Sequence, residues 1–268
     1  MSDPSYIQRY AELADSGTPF VSVTMVDAIG STPQDAGSKM LVTTNGLFHG
    51  TVGGGRVEAK AIDHAQAMLN DKTDTPKHTD FVDWNLQKDV GMTCGGTVKL
   101  YFETVNHRVW RIVIFGAGHV TQSLTKLLTT LPCRVTCIDP CADWLAKLPT
   151  APNIETITTD DPPAQVASLP DDAFVICMTR GHKSDVPVLI EIYKQKRVFP
   201  YLGVIGSKSK AAIMRRELTE AGIPMEQQIF HCPLGLPIGT NHPGEIAVSI
   251  AAQLLEVRDK LAAASIGG

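Results

Sequence analysis

The 268-residue sequence lacks a long apolar run, an excess of basic residues and a dense set of cysteines. No segment approaches the roughly 18 apolar residues that cross a membrane, and the polar start lacks the order of a secretory signal. Lys and Arg number 24 against 28 Asp and Glu, and this net charge of −4 argues against a nucleic-acid binder. Six scattered cysteines are too few for a disulfide scaffold in a chain of this length. We therefore expect a cytoplasmic protein with reduced thiols and no membrane partner.

The sequence does contain 43% hydrophobic residues, enough for a buried core, and its pattern changes near residues 104–110. Before that point, short β-branched runs alternate with glycine-rich turns, and an amphipathic helix follows the triple glycine at 53–55. After it, apolar strands alternate with amphipathic helices, which is typical of a doubly wound parallel sheet. The sequence predicts a smaller N-terminal α+β domain over residues 1–105 and a C-terminal Rossmann-like α/β domain over residues 106–268.

Five strands are predicted in the second half, at 109–115, 134–138, 154–158, 173–178 and 201–205, with a weaker sixth at 228–231. Consecutive apolar residues in these strands indicate helices on both faces of the sheet. In the first half, Asn45-Gly46 predicts a tight hairpin turn. Ligands of parallel sheets bind beside the carboxyl ends of the strands, so the segments that follow the strands form the candidate site.

The first candidate segment is the glycine turn that joins the first strand of the Rossmann-like domain to a helix. Gly116, Gly118 and His119 lie where backbone N–H groups and the helix dipole suit a phosphate. Asp139 ends the next strand and could accept hydrogen bonds from a ribose. Because Thr121 stands at the third glycine position of the dinucleotide pattern, NAD(P) is only one of several phosphorylated ligands for this turn. The alternative is a tight turn beside an empty cleft.

Two further segments follow later strands of the same domain. Arg180 could bind a phosphate or a carboxylate, and His182 could bind a metal or carry a proton. The alternative is that this segment only caps the next helix and leaves Arg180 in solvent. Ser207 and Lys208 begin a helix after another glycine bend and predict a second anion site, unless they form only an ordinary helix cap. We expect the two glycine bends to form one pocket for a phosphorylated ligand.

The first domain adds a second kind of candidate. Gly53, Gly54 and Gly55 precede a helix and let the backbone approach a ligand closely. Cys94 stands next to two glycines, and a thiolate there could be a nucleophile or a metal ligand. The alternative for Cys94 is a buried, inert thiol.

Taken together, these segments resemble one family, the xanthine dehydrogenase accessory proteins of the XdhC/CoxI type. The similarity runs through almost the whole chain, as GSTPQDAGSKMLV, GTVGGGRVEAKA, GMTCGG, IFGAGHV, VICMTRGHKSD, YLGVIGSKSKAA, HCPLGLPIG and PGEIAVSIAAQLLEV. The resemblance implies a chaperone that binds molybdenum cofactor (molybdopterin), protects it and delivers it to a molybdenum hydroxylase such as xanthine dehydrogenase. It also implies sulfuration of the metal before transfer, a cysteine desulfurase as a partner, and a homodimer.

The family's motifs carry over to particular residues of this sequence. Its CGG element matches Cys94 and the glycines that follow, and its GAGHV element matches residues 116–120. The resemblance thus implies that Cys94 or His182 approaches the metal side of the cofactor, while the glycine turns hold its phosphate. Arg56 stands where many members have a cysteine after the triple glycine, so a two-cysteine site is not implied here.

The residues alone leave two other functions open. One is an NAD(P)-linked oxidoreductase that acts on a small substrate, with His182 as proton carrier. The other is a nucleotide-sensing adaptor whose ligand only sets the domain arrangement. The resemblance favours a cofactor-insertion accessory protein over an enzyme.

Overall fold

The structure is a computed structural model that describes residues 4–71, 77–93, 95–106 and 109–264. The chain divides into two compact units, Met1–Arg108 and Val109–Gly268, and the boundary between them falls in the sequence where the residue pattern changes. None of the helices within the described ranges is both long enough and apolar enough to pass through a lipid bilayer.

The first unit is an antiparallel sheet with one helix on each face. Its elements are α1 (Pro4–Ser16), β1 (Phe20–Ile29), β2 (Lys39–Thr43), β3 (Gly46–Gly50), α2 (Gly55–Leu69), β4 (Thr79–Asn85) and β5 (Thr97–Val105). The strand order is β3-β2-β1-β5-β4. The predicted hairpin is confirmed, because Thr43 pairs with Gly46 across the turn and Gly46 has a φ of 106°.

Alternation along β1 decides which helix each residue meets. Val21 and Val23 lie in the core under α2, whereas Phe20 packs with Tyr6 and Leu13 of α1 on the opposite face. The amphipathic helix predicted after the triple glycine is confirmed as α2, whose buried residues Val57, Ala61, Ala65 and Met68 recur at helical spacing. The unit therefore has two small cores separated by one sheet.

A histidine–aspartate pair joins α2 to the edge strand β4. His64 Nε2 lies 2.9 Å from Asp80 Oδ2, beside the ring of Phe102. Burial alone would raise the pKa of Asp80, but the hydrogen bond from His64 and the charge of Lys77 outweigh it, so the pKa lies below its usual value. A carboxyl group whose pKa is lower in the folded state than in the unfolded state stabilises the fold at pH values above its unfolded pKa. That stabilisation is lost as the pH falls through the pKa of the folded state.

We therefore expect Asp80→Asn to lower the free energy of unfolding by about 1 kcal/mol at pH 7, because the pair is partly exposed. The difference from the parent protein should persist down to about pH 4, decline below it, and vanish only below the folded pKa of Asp80, where the carboxyl group is protonated in both states. Urea unfolding of both proteins between pH 7 and pH 3 measures it. A difference that stays constant over this range would contradict the role of the Asp80 charge.

The second unit is a parallel sheet between helices. Its elements are β6 (Trp110–Phe115), α3 (His119–Leu128), β7 (Cys133–Asp139), α4 (Ala142–Leu145), β8 (Ile154–Thr158), a 3-10 helix (Pro163–Ser168), β9 (Phe174–Cys177), α5 (His182–Lys194), β10 (Tyr201–Val204), α6 (Lys208–Glu220), a second 3-10 helix (Met225–Gln227) and α7 (Pro243–Ala264). The strands are parallel in the order β10-β9-β6-β7-β8. This arrangement confirms the predicted Rossmann-like sheet.

Successive residues of each central strand enter opposite cores, as expected for a sheet covered on both sides. Ile112 and Ile114 of β6 pack with residues of α3 and α7, whereas Val113 and Phe115 pack with residues of α5 and α6. The weaker strand predicted at 228–231 is wrong. His231 forms only an isolated bridge with Gly203, and Pro233 lacks the N–H that a longer ladder would need.

Candidate functional site

The carboxyl edge of the second sheet holds a cavity at its switch point. The chain runs outward from β6 to β7 and β8, and then returns to the other side of β6 as β9, so the loops after β6 and β9 diverge. A cavity of about 940 Å³ opens there. It is lined by the loops that follow four strands, with residues at 116–119, 139–141, 160–163 and 178–180.

The glycine turn after β6 forms the floor of this cavity. Gly116 has a φ of 107°, and a β-carbon on it would lie 2.4 Å from the carbonyl oxygen of Met178, so only glycine fits. Gly118 has a φ of −67° and precedes α3, and a β-carbon there would meet nothing within 4 Å. Thr121, at the expected third glycine, is buried and donates its hydroxyl hydrogen to the carbonyl of Gly116 at 2.7 Å. The hydroxyl thus ties the helix to the turn.

Asp139 lines the cavity but binds the protein's own backbone. Its Oδ2 accepts a hydrogen bond from the N–H of Ala117, and its Oδ1 accepts one from the N–H of Cys141, both at 2.8 Å. The carboxylate therefore joins the loop after β7 to the glycine turn. The role of Asp139 in holding a ribose stays a prediction.

An aromatic corner forms another part of the wall. Trp144, in the short helix α4, lies edge to face with His119 at a centroid distance of 5.0 Å. The ammonium of Lys147 lies 4.0 Å from the centre of the indole ring. Sequence reasoning missed Trp144, although its position just after the second strand of the domain was a signal that could have found it.

The loop after β9 separates two residues that the sequence grouped together. Arg180 is exposed and lines the cavity. His182 begins α5, and its Nε2 lies 3.5 Å from Oε1 of Glu217 in α6, so the imidazole faces that helix. Of the two, Arg180 is placed to bind an anion in the cavity, whereas the proposed proton or metal chemistry of His182 stays a prediction.

A buried ion pair holds this loop in place. Asp185 is fully buried and accepts hydrogen bonds from the N–H and the hydroxyl of Thr179, at 3.1 and 2.6 Å. Its other oxygen lies 2.7 Å from Nζ of Lys210, which also donates to the carbonyl of Ile205 at 2.9 Å. The pair connects the loops after β9 and β10. The sequence placed Lys210 in a motif but gave no sign of this partner.

The second glycine bend lines a different cavity. Gly206 and Ser207 contribute to a hollow of about 650 Å³ whose other wall is the loop over residues 234–241. Ser207 caps α6 by accepting a hydrogen bond from the N–H of Lys210 at 3.2 Å, and Lys208 is exposed. Each bend thus has its own cavity, which corrects the expectation that both form one pocket.

In the first unit, three glycine-containing loops come together at the start of α2. Gly53, Gly54 and Gly55 have φ values of 134°, 65° and 56°, and a β-carbon on Gly53 would lie 2.6 Å from Pro33. Arg56 donates a hydrogen bond to the carbonyl of Gly91 and so holds the loop before β5. The predicted Cys94 belongs to that loop but lies outside the described residues.

The remaining cysteines divide by burial. Burial raises the pKa of Cys133 to about 11 and that of Cys137 to about 12, so neither is a ready thiolate. Cys141 lines the cavity after β7, and Cys232 is partly exposed near Ser207. Within the described ranges, no group of three or more His, Cys, Asp or Glu side chains could hold a metal ion.

Each of the two units matches a sequence model of a known protein family. The sequence model of the XdhC Rossmann domain matches residues 112–254, and that of the XdhC and CoxI family matches residues 13–80. A structure from Bacillus halodurans, described as a xanthine dehydrogenase, is 20% identical with a TM-score of 0.48 and covers 95% of this chain and 96% of its own.

Three curated bacterial proteins are similar in sequence. YqeB, an uncharacterized protein of Escherichia coli (strain K12), is 29% identical over 93% of this chain and 45% of its own length. A protein of Bacillus subtilis (strain 168), described as a probable subunit of xanthine dehydrogenase, is 27% identical over 57% of this chain and 44% of its own. The molybdenum cofactor insertion chaperone PaoD of Escherichia coli (strain K12) is 24% identical over 96% of this chain and 89% of its own.

This chain therefore spans less than half the length of the first two relatives and most of the length of the third. The match to the Rossmann domain alone covers more than half of the chain, and a second match covers most of the first unit. The resemblance inferred from the sequence motifs is confirmed: the chain belongs to the XdhC and CoxI family.

Proposed function

We propose that this chain is an accessory protein of a xanthine dehydrogenase-type molybdenum hydroxylase in the cytoplasm. It binds molybdenum cofactor, protects it from water and oxygen, and hands it to the apo-hydroxylase after a cysteine desulfurase has supplied sulfur for the metal. One observation carries the proposal: the similarity to PaoD, a molybdenum cofactor insertion chaperone, runs over 96% of this chain and 89% of PaoD. The cofactor is cargo in this function, so the chain itself needs no catalytic centre.

The cavity at the switch point has the chemistry to hold the phosphate end of this cargo. Molybdopterin carries a phosphate, and the first turn of α3 offers backbone N–H groups that have no partner within the helix. Gly118 leaves the space in front of these groups open, and Arg180 adds a guanidinium. This donor set fits a phosphate.

Cys94 is our proposed residue for the metal side of the cofactor. Gly91 of the same loop accepts a hydrogen bond from Arg56 in the first turn of α2, where a β-carbon on Gly54 or Gly55 would meet nothing within 4 Å. A thiolate in such a loop is a soft ligand suited to molybdenum.

We expect Cys94→Ala to lose at least tenfold in molybdenum content when the protein is isolated from cofactor-producing cells, because the metal side loses its ligand. Metal analysis and pterin fluorescence of the isolated protein measure the loading. Cys232→Ala is the matched control, since it removes a partly exposed thiol elsewhere, and it should load as the parent does. Equal and near-zero loading in all three proteins would refute cofactor binding.

Delivery is tested separately from binding. Loaded protein mixed with an apo-hydroxylase should restore hydroxylase activity in proportion to the cofactor added, and restoration should require prior treatment with a cysteine desulfurase. Light scattering on the loaded protein tests the proposed homodimer. If free cofactor restores hydroxylase activity as fast as the loaded protein does, the chaperone role is contradicted.

A further inference from the structure

One face of the sheet in the first unit is only partly covered by a helix. On this face, α1 packs against Phe20 of β1 and Leu41 of β2. The part formed by β4, β5 and the last residues of β1 carries exposed apolar side chains instead, because Phe81 and Ile29 are each 55% exposed. Neighbouring exposed apolar side chains mark interaction surfaces. We call this part the open half-face, and it consists of the side chains on the α1 side of residues 24–29, 79–85 and 97–103.

The strand register shows which side chains of the open half-face are neighbours. Phe81 lies directly opposite Tyr101, and Tyr101 lies directly opposite Thr24. Thr24 is four residues from Phe20 in β1, so all three side chains point to the face that α1 partly covers. Opposite residues of antiparallel strands have β-carbons about 5 Å apart. Phe81 and Tyr101 therefore form an aromatic pair on an otherwise open surface.

Charged side chains flank this aromatic pair. Asp83 lies opposite Lys99, and Lys99 lies opposite Asp27, with which it forms an ion pair at 3.1 Å. Glu103 lies two residues from Tyr101 along β5, on the other side of the pair. Asp83 and Glu103 are both exposed, and among the described residues neither forms an ion pair. The open half-face thus has an excess of negative charge around its aromatic centre.

This combination fits a partner that is both apolar and basic. Aromatic rings attract Lys and Arg cations as well as apolar groups, and unpaired carboxylates attract the same cations. A second copy of this chain fits less well, because a two-fold contact brings the same surface of each copy together. The carboxylates of Asp83 and Glu103 would then meet those of the other copy, and like charges at a contact oppose binding.

The edge of β4 indicates how such a partner packs. The N–H of Phe81 donates to Oδ1 of Asp80 at 3.1 Å, and the N–H of Asn85 donates to Oδ2 of Asp89 at 2.8 Å. These side chains occupy groups that an added strand would need, so the partner packs on the face of the sheet and not along its edge. The face from β4 to β1 is about 10 Å wide and about 20 Å long, which matches the diameter of one helix and about four of its turns.

We propose that the open half-face docks an amphipathic helix of the acceptor hydroxylase. The apolar side of this helix packs on Phe81 and Tyr101, and its Lys or Arg side chains pair with Asp83 and Glu103. The partner helix lies beside α1 on the same face of the sheet. The inference goes beyond cofactor binding and rests on the proposed function only for the identity of the partner.

The aromatic contribution is tested by titrating apo-hydroxylase with the cofactor-free chain. Phe81→Ser should weaken binding at least tenfold, because the ring becomes buried only in the complex. Phe48→Ser is the matched control, since it removes a ring that is 43% exposed on β3, the opposite edge strand of the same sheet, and it should bind as the parent does. Equal affinities of the two variants would overturn the proposal, and so would the absence of binding by the parent.

The electrostatic contribution is tested by reversing one charge. Asp83→Lys should weaken binding about tenfold at low ionic strength, and the difference from the parent should shrink as salt is added. Glu226→Lys changes the net charge equally at an exposed position of the second unit and should bind as the parent does. Equal losses in both variants would mean that only net charge matters and would overturn the docking site. If Phe81→Ser has a lowered melting temperature, Asp83→Lys still decides the question.

Two further measurements separate this inference from other possibilities. If Phe81→Ser halves the mass found by light scattering, a second copy covers the open half-face and the proposal is overturned. Cofactor loading of Phe81→Ser should equal that of the parent. Hydroxylase binding that depends on Phe81 but delivers no cofactor would contradict the chaperone function and leave the docking site standing. Delivery by Phe81→Ser at the parental rate and concentration would overturn the docking site and leave the chaperone function standing.

Discussion

Replacing Lys210 with methionine is expected to lower the free energy of unfolding by about 3–5 kcal/mol. The substitution removes the cation beside Asp185, whose side chain is fully buried. Among the described residues, the carboxylate then keeps the two hydrogen bonds from Thr179 and no cation. An unpaired charge in the interior destabilises the fold far more than an intact ion pair stabilises it, so the single substitution has a large effect on the free energy of unfolding. Chemical denaturation of the two proteins measures it.

A paired substitution supplies the control. Asp185→Leu combined with Lys210→Met removes both charges and fills similar volume, so most of the stability should return. Lys208→Met, two positions earlier and exposed, should change stability by less than about 0.5 kcal/mol. If Lys210→Met proves as mild as Lys208→Met, then the ion pair does not support the fold.

The second large effect is expected at the glycine turn. Gly116→Ala should cost on the order of 3 kcal/mol, because the added β-carbon would lie 2.4 Å from one backbone atom of Met178 and 2.7 Å from another, at a φ of 107°. Neither obstacle is a flexible side chain that could move aside. Thermal unfolding followed by circular dichroism would show a lowered midpoint.

Gly118→Ala is the matched control for this prediction. It lies two residues on, has a φ of −67° and faces open space, so alanine is compatible with its backbone. We expect a midpoint equal to that of the parent or slightly higher. Similar losses at both glycines would mean that the turn is not packed against Met178.

Much of the second unit was accessible from the sequence. Consecutive apolar residues in the strands, such as those around Val175, required helices on both faces, and the alternation of elements then required a parallel sheet. The rule that ligands lie at strand ends led to Gly116 and Arg180, both of which line the cavity. These inferences succeed because they depend on patterns within short segments.

The details of the site depend on contacts between distant segments, which a pattern does not contain. The sequence identified Asp139 by its position at the end of a strand. It did not predict that the N–H groups of Ala117 and Cys141 would donate hydrogen bonds to the two carboxylate oxygens. It grouped His182 with Arg180, yet the first turn of α5 directs the imidazole toward Glu217. Partner choice of this kind is set by how helices pack.

The ammonium of Lys210 has a consequence for the two hollows of the Rossmann unit. It donates a hydrogen bond to the carbonyl of Ile205, which lines the smaller hollow. It also pairs with Asp185, which in turn accepts a hydrogen bond from Thr179 on the rim of the larger hollow. The same short bonds therefore connect the rim of one hollow to the rim of the other, so that one side chain fixes the position of both.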